Sequence, residues 1–286
     1  MSNPDRYAVI GHPVSHSRSP FIHARFAEQT RQSMTYTTID AGPEEFAATV
    51  RDFFAQGGKG LNVTVPHKET ALALATELTP RAQRAGAVNT LALRSGKAKS
   101  DKARAAHIIG DNTDGAGLAR DLLNNHRVTI AGRRVLLLGA GGAARGVIAP
   151  LLGLKPAELI IVNRNVIRAR ELAERFSDLG KLAAIGYPDL GNEPYDLVIN
   201  ATAASLAGEL PALPPGIVSA QSICYDMYYG RDETPFTRWA QQRGCARTIM
   251  GLGMLVEQAA ESFHLWRGVR PDTASVLSEL TAQLRA

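Results

Sequence analysis

A lysine and a histidine follow a short apolar segment in the first quarter of the chain. Residues 60–69 read GLNVTVPHKE, and the first of them have the composition of a buried strand. An ammonium group at the carboxyl end of a strand lies where open α/β sheets bind ligands, which makes Lys68 a candidate site residue. Side chains alternate along an extended chain, so His67 is expected to point to the opposite side and to be structural.

Other polar side chains follow neighbouring predicted strands. Each group alone is more typical of a turn than of a site. Together they supply hydroxyl, amide and carboxylate groups at the carboxyl ends of strands, where open α/β sheets bind ligands. A polyhydroxylated anion would suit such a lining. The residues are Ser17, Ser19, Asn62, Thr64, Asn89, Asp111, Asn112 and Asp114.

A glycine-rich turn begins a second unit. Residues 134–153 read RVLLLGAGGAARGVIAPLLG, which predicts a buried strand, a G-x-G-x-x-A turn and a helix. Small residues at Gly139, Gly141 and Ala144 would let the backbone approach a pyrophosphate, and the helix start offers free N–H groups to it. A turn needed for packing alone is the alternative, but the strand, turn and helix context favours a dinucleotide.

The residues after the next predicted strand indicate which dinucleotide binds. An acidic residue there would bind the ribose of NAD. This chain has Asn163, Arg164 and Asn165 instead, followed by Arg168. Two guanidinium groups on one helix face can clamp a 2′-phosphate, so the sequence predicts NADP. Two ordinary exposed arginines at a helix start are the alternative.

Alternating strands and helices must position these groups. The pattern runs through the first half, restarts at the glycine turn and ends in helical segments. It predicts an α/β fold with two lobes: an N-terminal domain with a mainly parallel sheet, and a Rossmann-like domain. C-terminal helices are expected to return to the first lobe and to leave a cleft. The predicted divisions are residues 1–114, 115–250 and 251–286. Ser19 is predicted to cap the first helix.

Composition limits the class of protein. With 286 residues, 45% of them hydrophobic and 21% charged, the chain can bury an ordinary core in two lobes. It shows no secretory signal, no apolar stretch of the roughly 20 residues that span a bilayer, and only two cysteines. A cytoplasmic, metal-free protein without a membrane partner is therefore expected.

Basic residues exceed acidic ones, and the formal net charge is +5. They are scattered and form no recognised nucleic-acid motif, so no nucleic-acid partner is expected. The run RSGKAKSDKARAAH, residues 94–107, is interpreted as a solvated loop or hairpin tip, with a phosphate or partner patch as the alternative.

The motifs HSRSP, GLNVTVPHK, GAVNT, GDNTDGAG, GAGGAARG, VNRN and GLGMLVEQAA occur in this order over essentially the entire chain. In this respect the sequence resembles the shikimate dehydrogenases. The resemblance implies a substrate domain at 1–114, an NADP-binding domain at 115–250 and reversible NADP-dependent conversion of shikimate to 3-dehydroshikimate, in aromatic amino-acid biosynthesis. It is compatible with a monomer or a homodimer.

The resemblance also implies roles for single residues. Lys68 and Asp114 would be the catalytic pair and would contact the substrate. Ser17 and Ser19 would hold its carboxylate. The remaining substrate contacts would be Thr64, Asn89, Tyr229 and Gln258. Cofactor contacts would come from Gly139, Ala140, Gly141, Gly142, Ala143, Ala144, Asn163, Arg164, Arg168, Met227 and Gly251.

Some positions depart from the family pattern. In NATAASLAG, Ala203 stands where serine is common and Ser205 where glycine is common, and Asn165 replaces a usual threonine. Two rival interpretations are a quinate/shikimate dehydrogenase, which would share nearly every motif, and a non-catalytic NADP-sensing protein. The intact pair of Lys68 and Asp114 disfavours the second.

Overall fold

The computed structural model describes residues 3–94 and 107–285. The chain forms two compact units: Met1–Asp114 with Val256–Val276, and Gly115–Leu255 with Leu277–Ala286. Residues 251–255 and Leu277–Ala286 are thus counted with the second unit, whereas the sequence interpretation grouped 251–286. Most of the basic run, residues 95–106, lies outside the described residues, so its interpretation stays a prediction.

The described strands and helices follow the predicted alternation. The strands are β1 Asp5–Gly11, β2 Met34–Asp40, β3 Gly60–Val63, β4 Glu77–Leu78, β5 Thr90–Arg94, β6 His107–Asp111, β7 Arg134–Leu138, β8 Glu158–Val162, β9 Leu182–Ile185, β10 Leu197–Asn200, β11 Ile223–Asp226 and β12 Arg247–Met250. The helices are α1 Ser19–Thr30, α2 Phe46–Ala55, α3 Pro80–Ala85, α4 Asp114–Arg120, α5 Gly142–Gly153, α6 Val166–Arg175, α7 Pro235–Gln242, α8 Leu252–Arg267 and α9 Ala274–Arg285. A wider turn, Asp121–Asn125, continues α4, and short 3₁₀ turns occur at Thr70–Leu74, Ser177–Leu179, Tyr187–Asp189 and Pro215–Ile217.

The first unit is built on a six-stranded sheet in the order β2-β1-β3-β5-β6-β4. β1 pairs in parallel with β2 and β3, and β4 pairs in parallel with β6. Only β5 runs antiparallel to its neighbours in this sheet as described. All four residues of β3 are buried, because the sheet is covered on both faces, and this accounts for the apolar run before Lys68.

The second unit contains a fully parallel sheet in the order β12-β11-β10-β7-β8-β9 among the described strands. The order reverses direction between β7 and β10, which is the position where doubly wound sheets bind ligands at their carboxyl edge. Apolar residues of β7 and β10 fill the core on both faces. The predicted α/β class, with a mainly parallel first sheet and a Rossmann-like second unit, is confirmed.

The described residues hold neither a membrane-spanning helix nor a cluster of metal-binding side chains. None of their helices is long and apolar enough to cross a membrane. Within the same part of the chain, no group of three or more histidine, cysteine, aspartate or glutamate side chains could hold a metal ion.

Candidate active site

Lys68 and Asp114 form an ion pair in the first unit. The Lys68 Nζ donates to the Asp114 Oδ2 over 2.6 Å. The lysine side chain is 14% exposed and the aspartate side chain 5% exposed. Low exposure strengthens the electrostatic attraction and keeps both side chains in one geometry. The two residues are 46 positions apart in sequence, so the fold brings them together.

The turn after β3 fixes the backbone of Lys68. Its carbonyl accepts the N–H of Val88 over 2.8 Å, and the N–H of His67 donates to the carbonyl of Thr64 over 3.0 Å. The His67 ring is buried, stacks on Phe46 with centroids 4.2 Å apart, and donates from Nε2 to the carbonyl of Ala41 over 2.7 Å. His67 therefore anchors the turn, while Lys68 is left to pair with Asp114.

Asn89 holds the second oxygen of Asp114. Its Oδ1 accepts the backbone N–H of Thr113 over 2.8 Å and the hydroxyl of Thr90 over 2.9 Å. A backbone N–H can only donate, so this contact assigns the oxygen of the amide and turns the Nδ2 group toward Asp114. Nδ2 donates to the Asp114 Oδ1 over 2.9 Å. The carboxylate is thus oriented from both sides.

Gln258 of α8 lies beside this group. Its Oε1 is 3.4 Å from the Asn89 Nδ2 and 3.3 Å from the Thr113 hydroxyl. One helical turn further on, the buried Ser262 hydroxyl accepts from Asn62 over 2.9 Å and donates to the carbonyl of Gln258 over 3.1 Å. Hydroxyls and amides behind the site therefore satisfy one another, as buried polar groups must.

Ser17 lies in the turn between β1 and α1, and Ser19 is the first residue of α1. The N–H of Ser19 donates to the Ser17 hydroxyl over 3.3 Å. The prediction that Ser19 caps α1 is wrong: the helix begins at Ser19, Arg18 occupies the cap position without a side-chain cap, and Pro20 follows. Burial raises the pKa of Tyr36 well above its usual value, and a hydrogen bond with Ser19 opposes that shift.

Thr64 immediately follows β3, and its N–H donates to the carbonyl of Ile10 over 3.0 Å. Gly11 lies against it, since a Cβ on that glycine would stand 2.4 Å from the Thr64 Cγ2. The serine-bearing turn and the lysine-bearing turn therefore leave adjacent strands, β1 and β3, at the same edge of the sheet.

The glycine turn of the second unit has the conformation that its sequence requires. Gly139 has φ +106°, a region that favours glycine, and a Cβ there would lie 3.2 Å from the carbonyl oxygen of Ala201. Gly141 precedes α5 without a side-chain cap, and Ala144 is buried against the sheet. Ala140 is also buried, whereas Gly142 and Ala143 are half-buried in the first turn of α5. The helix start presents backbone N–H groups suited to an anion.

The two arginines after β8 are both exposed, but only one lies in a helix. Arg168 lies in the first turn of α6, whereas Arg164 precedes Asn165, the N-cap residue. The prediction that the two arginines share a helix face is therefore wrong. The Asn165 side chain accepts the N–H groups of Ile167 and Arg168, which explains why a good capping residue stands there. Asn163 donates to the carbonyl of Asn165 over 2.9 Å.

Arg164 is an exposed residue whose positive charge acts on Tyr187. Burial raises the pKa of Tyr187 to about 12, and the positive charge of Arg164 opposes this. An exposed guanidinium at the end of β8 is suited to bind a phosphate.

Met227 and Gly251 lie close together at the carboxyl ends of β11 and β12. A Cβ on Gly251 would stand 2.4 Å from the carbonyl oxygen of Met227, so a larger residue would push the two segments apart. Tyr229 follows in the same unit, its ring centroid 6.1 Å from that of Tyr228. The structure thus places Tyr229 in a different unit from Lys68 and Asp114.

Ser205, the departure noted in the sequence, bonds a buried carboxylate. Its hydroxyl donates to the Asp226 Oδ2 over 2.6 Å, and Thr234 donates to the same oxygen over 2.7 Å. Asn200 donates to the other oxygen over 3.3 Å. Burial raises the pKa of Asp226, and these hydrogen bonds oppose the shift. The network fixes the loop after β10.

Sequence reasoning missed the residues behind the site. Thr90 and Thr113 contact the side-chain amide of Asn89, and Ser262 donates to the backbone carbonyl of Gln258, yet each is a common residue without a motif of its own. Ser262 carries one usable signal, since it lies four residues after Gln258 and therefore on the same helix face.

Three family models match the chain. Residues 9–91 match "Shikimate dehydrogenase substrate binding domain", residues 118–207 match "Shikimate / quinate 5-dehydrogenase", and residues 251–281 match "Shikimate 5'-dehydrogenase C-terminal domain".

Similar proteins cover nearly the whole chain. The shikimate dehydrogenase (NADP(+)) of Aeromonas salmonicida is 55% identical over 280 residues, which are 98% of either chain. An Ael1 enzyme from Pseudomonas putida superimposes with a TM-score of 0.86 at 44% identity, over 97% of this chain and 98% of that one. Shikimate 5-dehydrogenase of Thermus thermophilus, in complex with NADP(H) and shikimate, gives a TM-score of 0.81 at 32% identity, over 98% and 99% of the two chains.

Proposed function

The chain belongs to the shikimate dehydrogenase family, and we propose from this premise that it catalyses the reversible NADP-dependent interconversion of 3-dehydroshikimate and shikimate. It is an oxidoreductase that acts on a CH–OH group. The observation that carries the proposal is the buried pair of Lys68 and Asp114, with Nζ 2.6 Å from Oδ2, because it supplies a positioned proton donor beside amide groups that suit a polyol.

The substrate would lie in the first unit against these amides. Asn89 and Gln258 would bind its hydroxyl groups, together with the Thr64 hydroxyl. Ser17 and Ser19 would hold its carboxylate through their hydroxyls, on the turn that leaves the same edge of the sheet as Lys68. A substrate with a carboxylate at one end and hydroxyls at the other would satisfy both groups of side chains.

Proton transfer would fall to Lys68. In the reduction direction its ammonium donates a proton to the oxygen of the reacting carbon as negative charge develops there, and in oxidation the neutral amine accepts the hydroxyl proton. Asp114 holds the lysine in place through the ion pair. Asn89 keeps Asp114 from turning, because it occupies the second carboxylate oxygen.

The residues of the second unit fit a dinucleotide phosphate cofactor. The left-handed Gly139, the close approach to Ala201 and the uncapped start of α5 leave backbone N–H groups where a pyrophosphate would be held. Arg164 and Arg168 would bind the 2′-phosphate, and Asn163, Met227 and Gly251 would be further contacts. Bound NADP(H) supplies the hydride chemistry that no side chain provides. Tyr229 would contact the substrate.

A cytoplasmic location, a monomeric or homodimeric state and the lack of a nucleic-acid partner stay predictions. They would be tested by fractionation, by light scattering and by electrophoretic mobility with duplex DNA.

Initial rates of nicotinamide reduction test the proposal directly. Purified protein would be assayed with shikimate and with quinate, each with NADP and with NAD, beside Lys68→Met as an inactive control. We expect shikimate with NADP to dominate. Faster quinate turnover would favour the quinate alternative, and tight NADP binding without any turnover would replace the enzyme by an NADP-sensing protein.

A further inference from the structure

A buried carboxylate three residues before Asp114 is bound from several sides. Asp111 ends β6 and is 1% exposed. Its Oδ1 accepts from the Thr79 hydroxyl, from the Arg81 Nε over 2.7 Å and from the N–H of Asn112 over 2.8 Å, and its Oδ2 accepts from the Arg81 Nη2. A carboxylate that accepts from both donors on one edge of a guanidinium has a fixed position and orientation.

This carboxylate begins the turn that carries Asp114. The N–H of Asn112 is bound by Asp111, the Asn112 side chain donates to the carbonyl of Ala87 over 2.9 Å, and the N–H of Asp114 donates to the Asn112 Oδ1 over 3.2 Å. A displacement of Asp111 would therefore be passed to the residue that orients Lys68.

The third donor of the same guanidinium reaches α8. The Arg81 Nη1 donates to the Glu261 Oε2 over 3.2 Å. Glu261 also pairs with Arg270, which contacts Glu257 over 3.4 Å. Glu257 immediately precedes Gln258, so the ion pairs hold the part of α8 that bears this amide.

We infer that Arg81 is a positioning residue, which sets the spacing between Asp114 and Gln258 by joining Asp111 at the end of β6 to Glu261 on α8. The inference rests on the proposed function, because the spacing between Asp114 and Gln258 would fit the end of the substrate that bears the hydroxyl groups. It needs the planar fork of arginine, because a lysine ammonium cannot bond both Asp111 oxygens and Glu261 in this geometry. Neither the serines that would hold the carboxylate nor the cofactor residues take part.

The test is a pair of double-mutant cycles with shikimate and NADP. We expect Arg81→Met to lower kcat/KM for shikimate by about tenfold or more, since small misplacements of reacting groups are costly, and to leave the KM for NADP within about twofold. Combined with Gln258→Ala, it should add at most about threefold to the worse single variant, whereas combined with Ser17→Ala the losses should multiply to within about twofold.

Matched variants separate positioning from a general loss of stability. Arg25→Met removes an arginine of similar exposure, 42% against 40%, from its ion pair with Glu28. When it replaces Arg81→Met in both cycles, it should leave kcat/KM for shikimate unchanged. Arg81→Lys should stay close to Arg81→Met. Full activity of Arg81→Lys, multiplicative losses with Gln258→Ala, or an equal rise in the KM for NADP would overturn the inference.

A second variant keeps the test open if Arg81→Met does not fold. Glu261→Gln preserves the pairing of Arg81 with Asp111 and weakens only the link to α8, so we expect a smaller loss with the same non-additivity toward Gln258→Ala. Losses that multiply would overturn the inference here too. The unaltered protein in the same assay tests the proposed function, and the variants test the inference. Failure of one can therefore be distinguished from failure of the other.

Discussion

The Nζ of Lys68 and the Oδ2 of Asp114 are 2.6 Å apart, and both side chains are largely shielded from solvent. Removing one partner of such a pair leaves an uncompensated buried charge, which costs roughly 3–5 kcal/mol. We therefore expect Lys68→Met to lower the free energy of unfolding by about that amount and to reduce turnover by at least roughly 100-fold, the lower range for a lost acid–base group.

Urea unfolding and initial rates measure the two effects separately. In the double variant Lys68→Met with Asp114→Asn, much of the stability should return because no buried charge remains, while turnover stays lost. Near-normal turnover of Lys68→Met would remove the lysine from the mechanism. A double variant as unstable as the single one would contradict the account of the buried charge.

Asn89 gives a prediction with a pH dependence. In Asn89→Asp a second carboxylate would face the Asp114 Oδ1, which now accepts from the Asn89 Nδ2 over 2.9 Å. Two neighbouring carboxylates cannot both ionise easily, so the pKa of one of them rises. At low pH the two groups would share a proton, which restores a hydrogen bond to the Asp114 Oδ1. We expect kcat/KM to fall by about 100-fold near pH 8 and by much less near pH 6.

The pH–rate profile of Asn89→Asp is the measurement, and Asn89→Ala is its matched control. The alanine variant also lacks the amide donor but adds no titrating group, so its loss should be the same at both pH values. Parallel profiles for the two variants would show that no shared proton restores the donor, and full activity of Asn89→Ala would show that the orientation of Asp114 by Asn89 does not matter.

The alternation of strands and helices and the glycine turn predicted most of the fold, because both can be identified from local sequence. The strand at 134–138, the left-handed Gly139 and the helix from Gly142 follow from apolar runs and residue size. The antiparallel course of β5 could not be predicted, because strand direction depends on distant pairings.

The sequence predicted less of the site, because long-range contacts determine part of it. Motifs identified Lys68 and Asp114 as candidates. They could not reveal that Asn89 orients Asp114, or that Ser262 bonds the backbone of Gln258, because these contacts depend on how the folded segments pack. Arg164 shows a local error: the capping Asn165 starts α6 only after it, so the two arginines do not lie on one helix face.

Arg164 nevertheless gives a selective test of cofactor preference. A charge-assisted hydrogen bond is worth about 1.5–3 kcal/mol, so Arg164→Ala should weaken NADP binding by roughly 10- to 100-fold. NAD lacks the 2′-phosphate, and its binding should change by less than about threefold. Fluorescence titration with both reduced cofactors provides the dissociation constants.

Arg170→Ala is the control for this test, since Arg170 is exposed on the same helix α6. It should change neither affinity, unless nonspecific positive charge attracts the cofactor. Equal losses for NADP and NAD in Arg164→Ala would mean that this arginine does not bind the 2′-phosphate.

His23 makes the stability of the first unit depend on pH. Its ring is fully buried and stacks on Tyr36 with centroids 4.1 Å apart. Burial lowers the pKa of His23 to about 3, against a smaller opposing contribution from Asn62. Between the unfolded pKa of about 6.5 and this value, the unfolded chain binds a proton that the folded chain does not. Stability is therefore lost as the pH falls through that window, by about 2–3 kcal/mol at pH 4.5.

His23→Leu removes this contribution without adding a titrating group. The difference between the free energies of unfolding at pH 7 and pH 4.5 should shrink by about 2–3 kcal/mol relative to the unaltered protein. His264→Leu replaces an exposed histidine on α8 and should keep the original difference. Urea unfolding at both pH values decides the matter: an unchanged difference in His23→Leu would mean that His23 is protonated in the folded protein, and its ring resonances would then titrate in NMR spectra above pH 4.5.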